Sequence, residues 1–390
     1  MMMIKNWQYI FLSGEPPAPW LQSVNDFLHK EPFAMIFYGT FWFLLSFFAP
    51  FAGSVVLILT IVRFTLYSIG YSTKIVDTSE QELAVVITGC DSGFGHDLAL
   101  ACHERGFHVF ASCLKQESVN NFLESQKERM MPVLVDVCND KQIHGLADEV
   151  IKWIGEASPS KPRFLHALVN NAGIGVGGLV TWLDIEDFKK NMDVNCFGQI
   201  RMVKAFLPTL KLQYAHGRYL DARIVNMVSM AGLFPCLGMS SYSASKFAAE
   251  GFSSSLRLEL RDFGIKVITM NPSFHCTPLV FDMKSQFQQV YQRMPEDVRT
   301  KYGQDYLERN VLECLRIPQS LTWRAENVCR DLTKAVELLR PPSRFVTGSD
   351  AKFSLLVLRI LPDWCIDLLL PRYLHPAAFM EGGSLKEKQI

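Results

Sequence analysis

Between Leu83 and Ala111 an apolar run, a glycine-rich turn, a helix-forming run and a second apolar run follow one another, an order few folds accept. Leu83-Ala84-Val85-Val86-Ile87 is short for a helix and suits a strand buried on both faces. Thr88-Gly89-Cys90-Asp91-Ser92-Gly93-Phe94-Gly95 then turns the chain into His96–His103, which reads as a helix closed by Gly106. Val109-Phe110-Ala111 reads as the next strand. Glycines at such a turn let backbone N–H groups approach a pyrophosphate held at the positive end of the helix. A tight turn without a ligand is the plainer alternative, and the strand–helix–strand register weighs against it.

The same alternation continues. Pro132–Asp136, Leu165–Val169, Arg223–Val228 and Lys266–Met270 read as further strands separated by helical stretches. The fold class expected is α/β, a doubly wound parallel sheet of Rossmann type, with functional groups at the carboxyl ends of its strands. Ser229 stands at one such end, and Tyr242 and Lys246 lie four residues apart on one helix face. A free phenol ionises near pH ~10, and an adjacent ammonium favours the phenolate. A tyrosine beside a lysine is common on solvated helices; the glycine loop upstream gives this pair its chemical context.

Thr88-Gly-x-x-x-Gly93-x-Gly95, Asn170-Asn171-Ala172-Gly173, Asn195, Ser229 and Tyr242-x-x-x-Lys246 together resemble the short-chain dehydrogenase/reductase family, in the family's order, over roughly residues 82–350. The phrase Thr-Gly-Cys-Asp-Ser-Gly-Phe-Gly is similar to the branch of retinol dehydrogenases, 17β-hydroxysteroid dehydrogenase type 2 and D-3-hydroxybutyrate dehydrogenase. The resemblance implies a catalytic set of Asn195, Ser229, Tyr242 and Lys246. Ser229 would hold the substrate oxygen and Tyr242 would take its proton. Lys246 would tune the tyrosine and bond the nicotinamide ribose, and Asn195 would hold a relay water. Thr88, Gly89, Gly93, Phe94 and Gly95 would form the pyrophosphate loop, Asp136 and Val137 would reach the adenine, and Asn170, Ala172 and Gly173 would line the nicotinamide side. Thr277 would bind the carboxamide.

NAD is the cofactor the branch implies, with NADP left open. The acid expected at the end of the second strand is missing, since Cys113, Leu114 and Lys115 stand there. Lys115 is a candidate partner for a 2′-phosphate or simply a solvated lysine. After the sixth strand the family's Pro-Gly is replaced by Pro272-Ser273. That serine demands either a strained backbone or a narrower pocket.

Around this core (82–278) the expected organisation is a polar segment (1–32), a membrane anchor (33–67), a connector (68–81), a substrate lid with a last strand (279–350), and an apolar extension ending in a charged tail (351–390). Phe33–Val62 holds 30 residues without a charge, more than the ~20 that span a bilayer. Pro50 and Gly53 interrupt it, so one kinked span and a hairpin both satisfy it. Lys386 and Lys388 resemble a retrieval signal of endoplasmic reticulum membrane proteins, which points to a cytosol-facing enzyme there, with a mitochondrial membrane as runner-up. Thirty-nine basic and 39 acidic residues balance, giving no reason to expect nucleic acid. Ten scattered cysteines without a C-x-x-C pair give none for a zinc site or a disulfide framework. The expected activity is NAD-dependent oxidation of a lipophilic alcohol, a hydroxysteroid or retinol, by a membrane-bound enzyme that the family leads one to expect as a homodimer. D-3-hydroxybutyrate dehydrogenase and a catalytically silent membrane scaffold are the alternatives.

Overall fold

A computed structural model describes residues 74–300 and 324–352, save positions 218, 220, 236, 237, 276, 298 and 350, together with residue 365. The expected anchor at 33–67, the segment before it and nearly all of 353–390 lie outside the described residues. Among the described residues no helix is long and apolar enough to cross a membrane.

Seven strands form one parallel sheet: β1 (Glu82–Thr88), β2 (His108–Cys113), β3 (Met130–Leu134), β4 (Arg163–Asn170), β5 (Arg223–Met227), β6 (Lys266–Pro272) and β7 (Arg344–Thr347). Their order across the sheet is β3-β2-β1-β4-β5-β6-β7. The order reverses between β1 and β4, so the crevice at their carboxyl ends is where ligands of such sheets sit. β1 is buried along nearly its whole length, which explains its unbroken apolar run. β3 starts two residues earlier than its sequence pattern suggests, because Met130 already pairs with Val109.

The connecting helices are α1 (Gly93–Glu104), α2 (Gln116–Glu124), α3 (Asp140–Gly155), α4 (Ile185–Met192), α5 (Gln199–Ala215), α6 (Ser240–Glu259), α7 (Pro278–Phe281), α8 (Met283–Arg293) and α9 (Ala325–Glu337). Local chemistry sets several starts. Asn139 caps α3 by accepting from Lys141 and Gln142 amides, and Asp184 with Asp187 forms a capping box on α4. Between α4 and α5 lies a π turn, Asp193–Gly198, a rare form that often marks a functional position.

At the opposite end of the sheet Arg223 is fully buried. Its guanidinium donates to the carbonyls of Val336 and Leu338, both at 2.7 Å, which satisfies the end of α9. His166 donates or accepts at the hydroxyl of Tyr219 and meets the carbonyl of Val336 at 2.7 Å, and its burial holds the imidazole neutral, well below its ordinary pKa.

Helix α8, in the segment expected to be the lid, carries an apolar face. Phe287, Val290, Tyr291 and the following Met294 are buried against Trp182 and Met239, each large side chain contributing roughly 1.5–3 kcal/mol. The floor beneath Phe287 is Gly177, where an added Cβ would stand 2.6 Å from the Met239 sulfur and 2.9 Å from a Phe287 ring carbon. Arg293 pairs with the buried carboxylate of Asp187 and fastens the far end of α8 to α4. Gly177→Ala is therefore expected to lift α8, with an overpacking cost of about 1–3 kcal/mol. Limited proteolysis between residues 283 and 294 checks this; a cleavage rate equal to wild type would show that α8 does not rest on that glycine.

Candidate active site

The site is assembled by a repeated clamp. Asn191 on α4 accepts from the Val176 amide (3.1 Å) and donates to the Val176 carbonyl (2.9 Å) and to Ser241 Oγ (2.8 Å). One turn later Asn195, in the π turn, does the same for Ile174 and for Ser245 Oγ, each bond at 2.9 Å. Both asparagines are fully buried. Together they bind the extended segment after β4 on one side and α6 on the other. Ser241 and Ser245 bracket Tyr242, and Ser245 Oγ also donates to the Tyr242 carbonyl at 2.7 Å.

Lys246 lies one turn beyond Tyr242. Its Nζ is 5.6 Å from the centre of the Tyr242 ring and donates to the Met227 carbonyl at 3.2 Å. Burial lowers its pKa from 10.5 to about 8, with the nearby Cys196 opposing the shift. Ser229, just past β5, caps a short 3-10 turn by accepting from the Ala231 amide at 3.1 Å. Its main-chain carbonyl accepts from Asn271 at 3.0 Å, and Asn271 is itself held by Glu250 and Arg344. These bonds fix the turn that presents the Ser229 hydroxyl.

Two concavities meet at Tyr242. A cleft of about 360 Å³ runs along the carboxyl ends of the strands and is lined by Gly89, Gly93, Asp136, Val137, Ala172 and Gly173 among others. Lys246 and Thr277 also face it. A second cavity of about 100 Å³ shares Tyr242 with the cleft and has Ser229 in its wall. Phe94, Met230, Met239, Phe274, Leu279 and Val280 make that wall mainly apolar, and no described residue lining it is lysine or arginine.

The cleft suits a dinucleotide on steric grounds. Gly89 and Gly93 have φ of 70° and 62°, a left-handed conformation that favours glycine. A Cβ on Gly89 would fall 2.8 Å from Ala172 Cα, and one on Gly173 would fall 3.2 Å from Asn195 Oδ1 and 3.5 Å from Lys246 Nζ. Bare backbone thus floors the cleft where a phosphate and a ribose need close approach.

Some expected residues stand elsewhere. Thr88, Gly95 and Asn170 do not line the cleft. Thr88 Oγ1 accepts from the Asn171 and Ala172 amides, and Gly95 packs against the Gly89 carbonyl and Asn171, so both shape the loop from behind. Asn170 spends its amide on Asn226 at 2.8 Å and ties β4 to β5, while its neighbour Asn171 faces the cleft. The side-chain amide of Asn195 is committed to Ile174 and Ser245 rather than standing free for water. Ser273 adopts no left-handed backbone, since Gln126 alone does so among the described non-glycine residues. The Pro-Ser departure therefore acts on the shape of the cavity, in whose wall Ser273 stands.

Sequence reasoning missed Asp91, Asn191, Ser245 and His275. Asp91 reaches across to the end of β2, a contact between segments 23 residues apart. His275 lies in the cavity wall with its Nδ1 at 2.9 Å from the Ser273 carbonyl. The spacing of Asn191 and Asn195 against Ser241 and Ser245 was a readable signal, four residues in each pair on two helices.

The comparisons with known proteins agree with this geometry. The short chain dehydrogenase family model matches residues 83–287. The chain is 35% identical over 296 residues to the human protein "Short-chain dehydrogenase/reductase family 9C member 7", covering 75% of this chain and 90% of that protein. It is 34% identical over 290 residues to human "Retinol dehydrogenase 5", covering 73% and 87%. A short-chain dehydrogenase structure from Streptomyces avermitilis superposes with a TM-score of 0.58 at 23% identity, over 76% of this chain and 97% of the other. A Burkholderia phymatum structure solved with NAD gives 0.56 at 24%, over 71% and 93%, which supports the fold. A seven-stranded parallel sheet, a glycine-floored cleft and a buried lysine beside a tyrosine thus coincide with a family match over more than half of the 390 residues, and the chain belongs to the short-chain dehydrogenase family.

Proposed function

We propose that the protein oxidises a lipophilic alcohol, a hydroxysteroid or a retinol, to the ketone or aldehyde at a membrane, with NAD as hydride acceptor. The observation that carries the reading is the place of Tyr242, which lines both the glycine-floored cleft and an apolar cavity. An alcohol in that cavity meets Ser229 and Tyr242 among its polar partners. A nicotinamide dinucleotide bound in the cleft would supply the hydride acceptor. Ser229 holds the substrate oxygen and Tyr242 removes its proton. Lys246, as an ammonium beside the ring, stabilises the phenolate by charge. Asn195 acts by clamping Ile174 and α6, which sets where Tyr242 and Lys246 stand.

The likeness to retinol dehydrogenases and the apolar wall favour a lipid over 3-hydroxybutyrate, whose carboxylate finds no lysine or arginine among the described residues of that wall. The uncharged run Phe33–Val62 supports membrane attachment, and the location that goes with this reading is the endoplasmic reticulum with the enzyme facing the cytosol. Alkaline carbonate extraction and protease protection of sealed microsomes test both; release into the supernatant would remove the membrane from the reading. Exposed Leu212, Phe247 and Leu258 on α5 and α6 support pairing of two copies. A monomeric mass in detergent by light scattering would exclude it.

The chemistry is tested by following NADH fluorescence in membranes with sterols, retinols and 3-hydroxybutyrate as substrates. Tyr242→Phe is expected to lower kcat by about 10²-fold or more. Equal turnover by the variant would remove Tyr242 as base. Turnover of 3-hydroxybutyrate alone would favour the smaller substrate, and no turnover of any would favour a silent scaffold.

The charge on Lys246 has a separate signature. In the folded chain it releases its proton near pH 8, whereas an unfolded lysine holds it to about pH 10.4. Between these values the unfolded state binds more protons, so this group adds stability as pH rises. Relative to Lys246→Met, the wild type is expected to gain up to about 1.4 kcal/mol per pH unit across that window. Denaturant melts at pH 7.5, 8.5 and 9.5 read the difference, and parallel curves for the two proteins would place the proton release elsewhere.

A further inference from the structure

Cofactor choice in this cleft turns on the end of β2, where Cys113 stands in place of the expected acid, buried and with its thiol toward the Ala111 carbonyl. A carboxylate arrives from another segment. Asp91, in the glycine loop, accepts from the Leu114 amide through Oδ2 and from the Lys115 amide through Oδ1, both at 2.9 Å. Asp91, Leu114 and Lys115 line one end of the same cleft.

We propose that Asp91 selects the unphosphorylated dinucleotide, NAD over NADP, by standing in from the glycine loop for the missing acid of β2. The inference rests on the reading of the cleft as a nicotinamide dinucleotide site. Two properties of the geometry carry it. The Leu114 and Lys115 amides open the turn into α2 and are the natural donors to a 2′-phosphate at this end of the cleft, yet Asp91 already holds both. A carboxylate offers about four lone-pair positions, so two remain to accept from the vicinal ribose hydroxyls. A phosphate brought to the same place meets a like charge within a few ångströms and no free amide. Lys115 does not reverse this balance, because its side chain is exposed and one solvated cation is a weak phosphate ligand.

The full-length protein in detergent is titrated with NADH and NADPH by nicotinamide fluorescence, and with ADP-ribose and its 2′-deoxy analogue as competitors. NADH is expected to bind at least about tenfold more tightly than NADPH, and the 2′-deoxy analogue to compete about tenfold less well than ADP-ribose. Asp91→Asn removes the charge and turns one of the two acceptor oxygens into a donor, which frees one of the Leu114 and Lys115 amides, so the NADH/NADPH ratio is expected to fall by about tenfold. Equal competition by the 2′-deoxy analogue, measured on the wild type alone, would overturn the proposal even if the variant did not fold. So would a wild-type preference for NADPH, or an unchanged ratio in a folded Asp91→Asn. Failure of the wild type to bind either dinucleotide would overturn the dinucleotide reading itself, and this inference with it.

Discussion

The paired asparagine clamp is the interaction on which the rest of the site depends. Asn191 and Asn195 each satisfy both main-chain groups of one residue, Val176 and Ile174, and then reach α6 through Ser241 and Ser245. The segment after β4 has no sheet neighbour at that point. Without the two amides the half-buried N–H groups of Ile174 and Val176 and the Ile174 carbonyl would lose the partners they have here, at a cost of up to about 1–3 kcal/mol for each such group. The Val176 carbonyl would keep Ser241 Oγ. The clamp thus does two things with one set of bonds. It holds extended backbone in the floor of the cleft, and it fixes the rotation of α6, which decides where Tyr242 and Lys246 point.

A second constraint is the burial of Lys246. An ammonium 5.6 Å from the Tyr242 ring centre gains from the ring face and from the Met227 carbonyl, but loses hydration. The loss dominates, and the pKa drops to about 8. A lysine held so near neutrality can both carry charge beside a phenolate and pass a proton. That is the property a relay needs, and it comes from burial rather than from any feature of the residue itself.

Much of the fold was legible from the order of runs. β1, the glycine turn and α1 follow from apolar periodicity and punctuation, because each leaves its signal within a short window of sequence. Tyr242 with Lys246 was readable for the same reason, being one helical turn. Where expectation and structure part, the cause lies in contacts distant in sequence. Thr88 and Asn170 belong to the right motifs but point into the scaffold, since their partners are on neighbouring strands and loops. Ser273 looked strained only while its backbone angle was unknown.

The sequence by itself determined the strand–helix alternation, the glycine positions and the helix pair at 242 and 246, all consequences of local sterics and period. The tertiary structure decided which carboxylate stands at the end of β2, which asparagine faces the cleft, and how far the lysine is stripped of water. Those outcomes depend on segments 19 to 83 residues apart being brought within hydrogen-bonding distance. No local rule encodes that approach, because it is the closing of the sheet and the packing of α4 against α6 that set it.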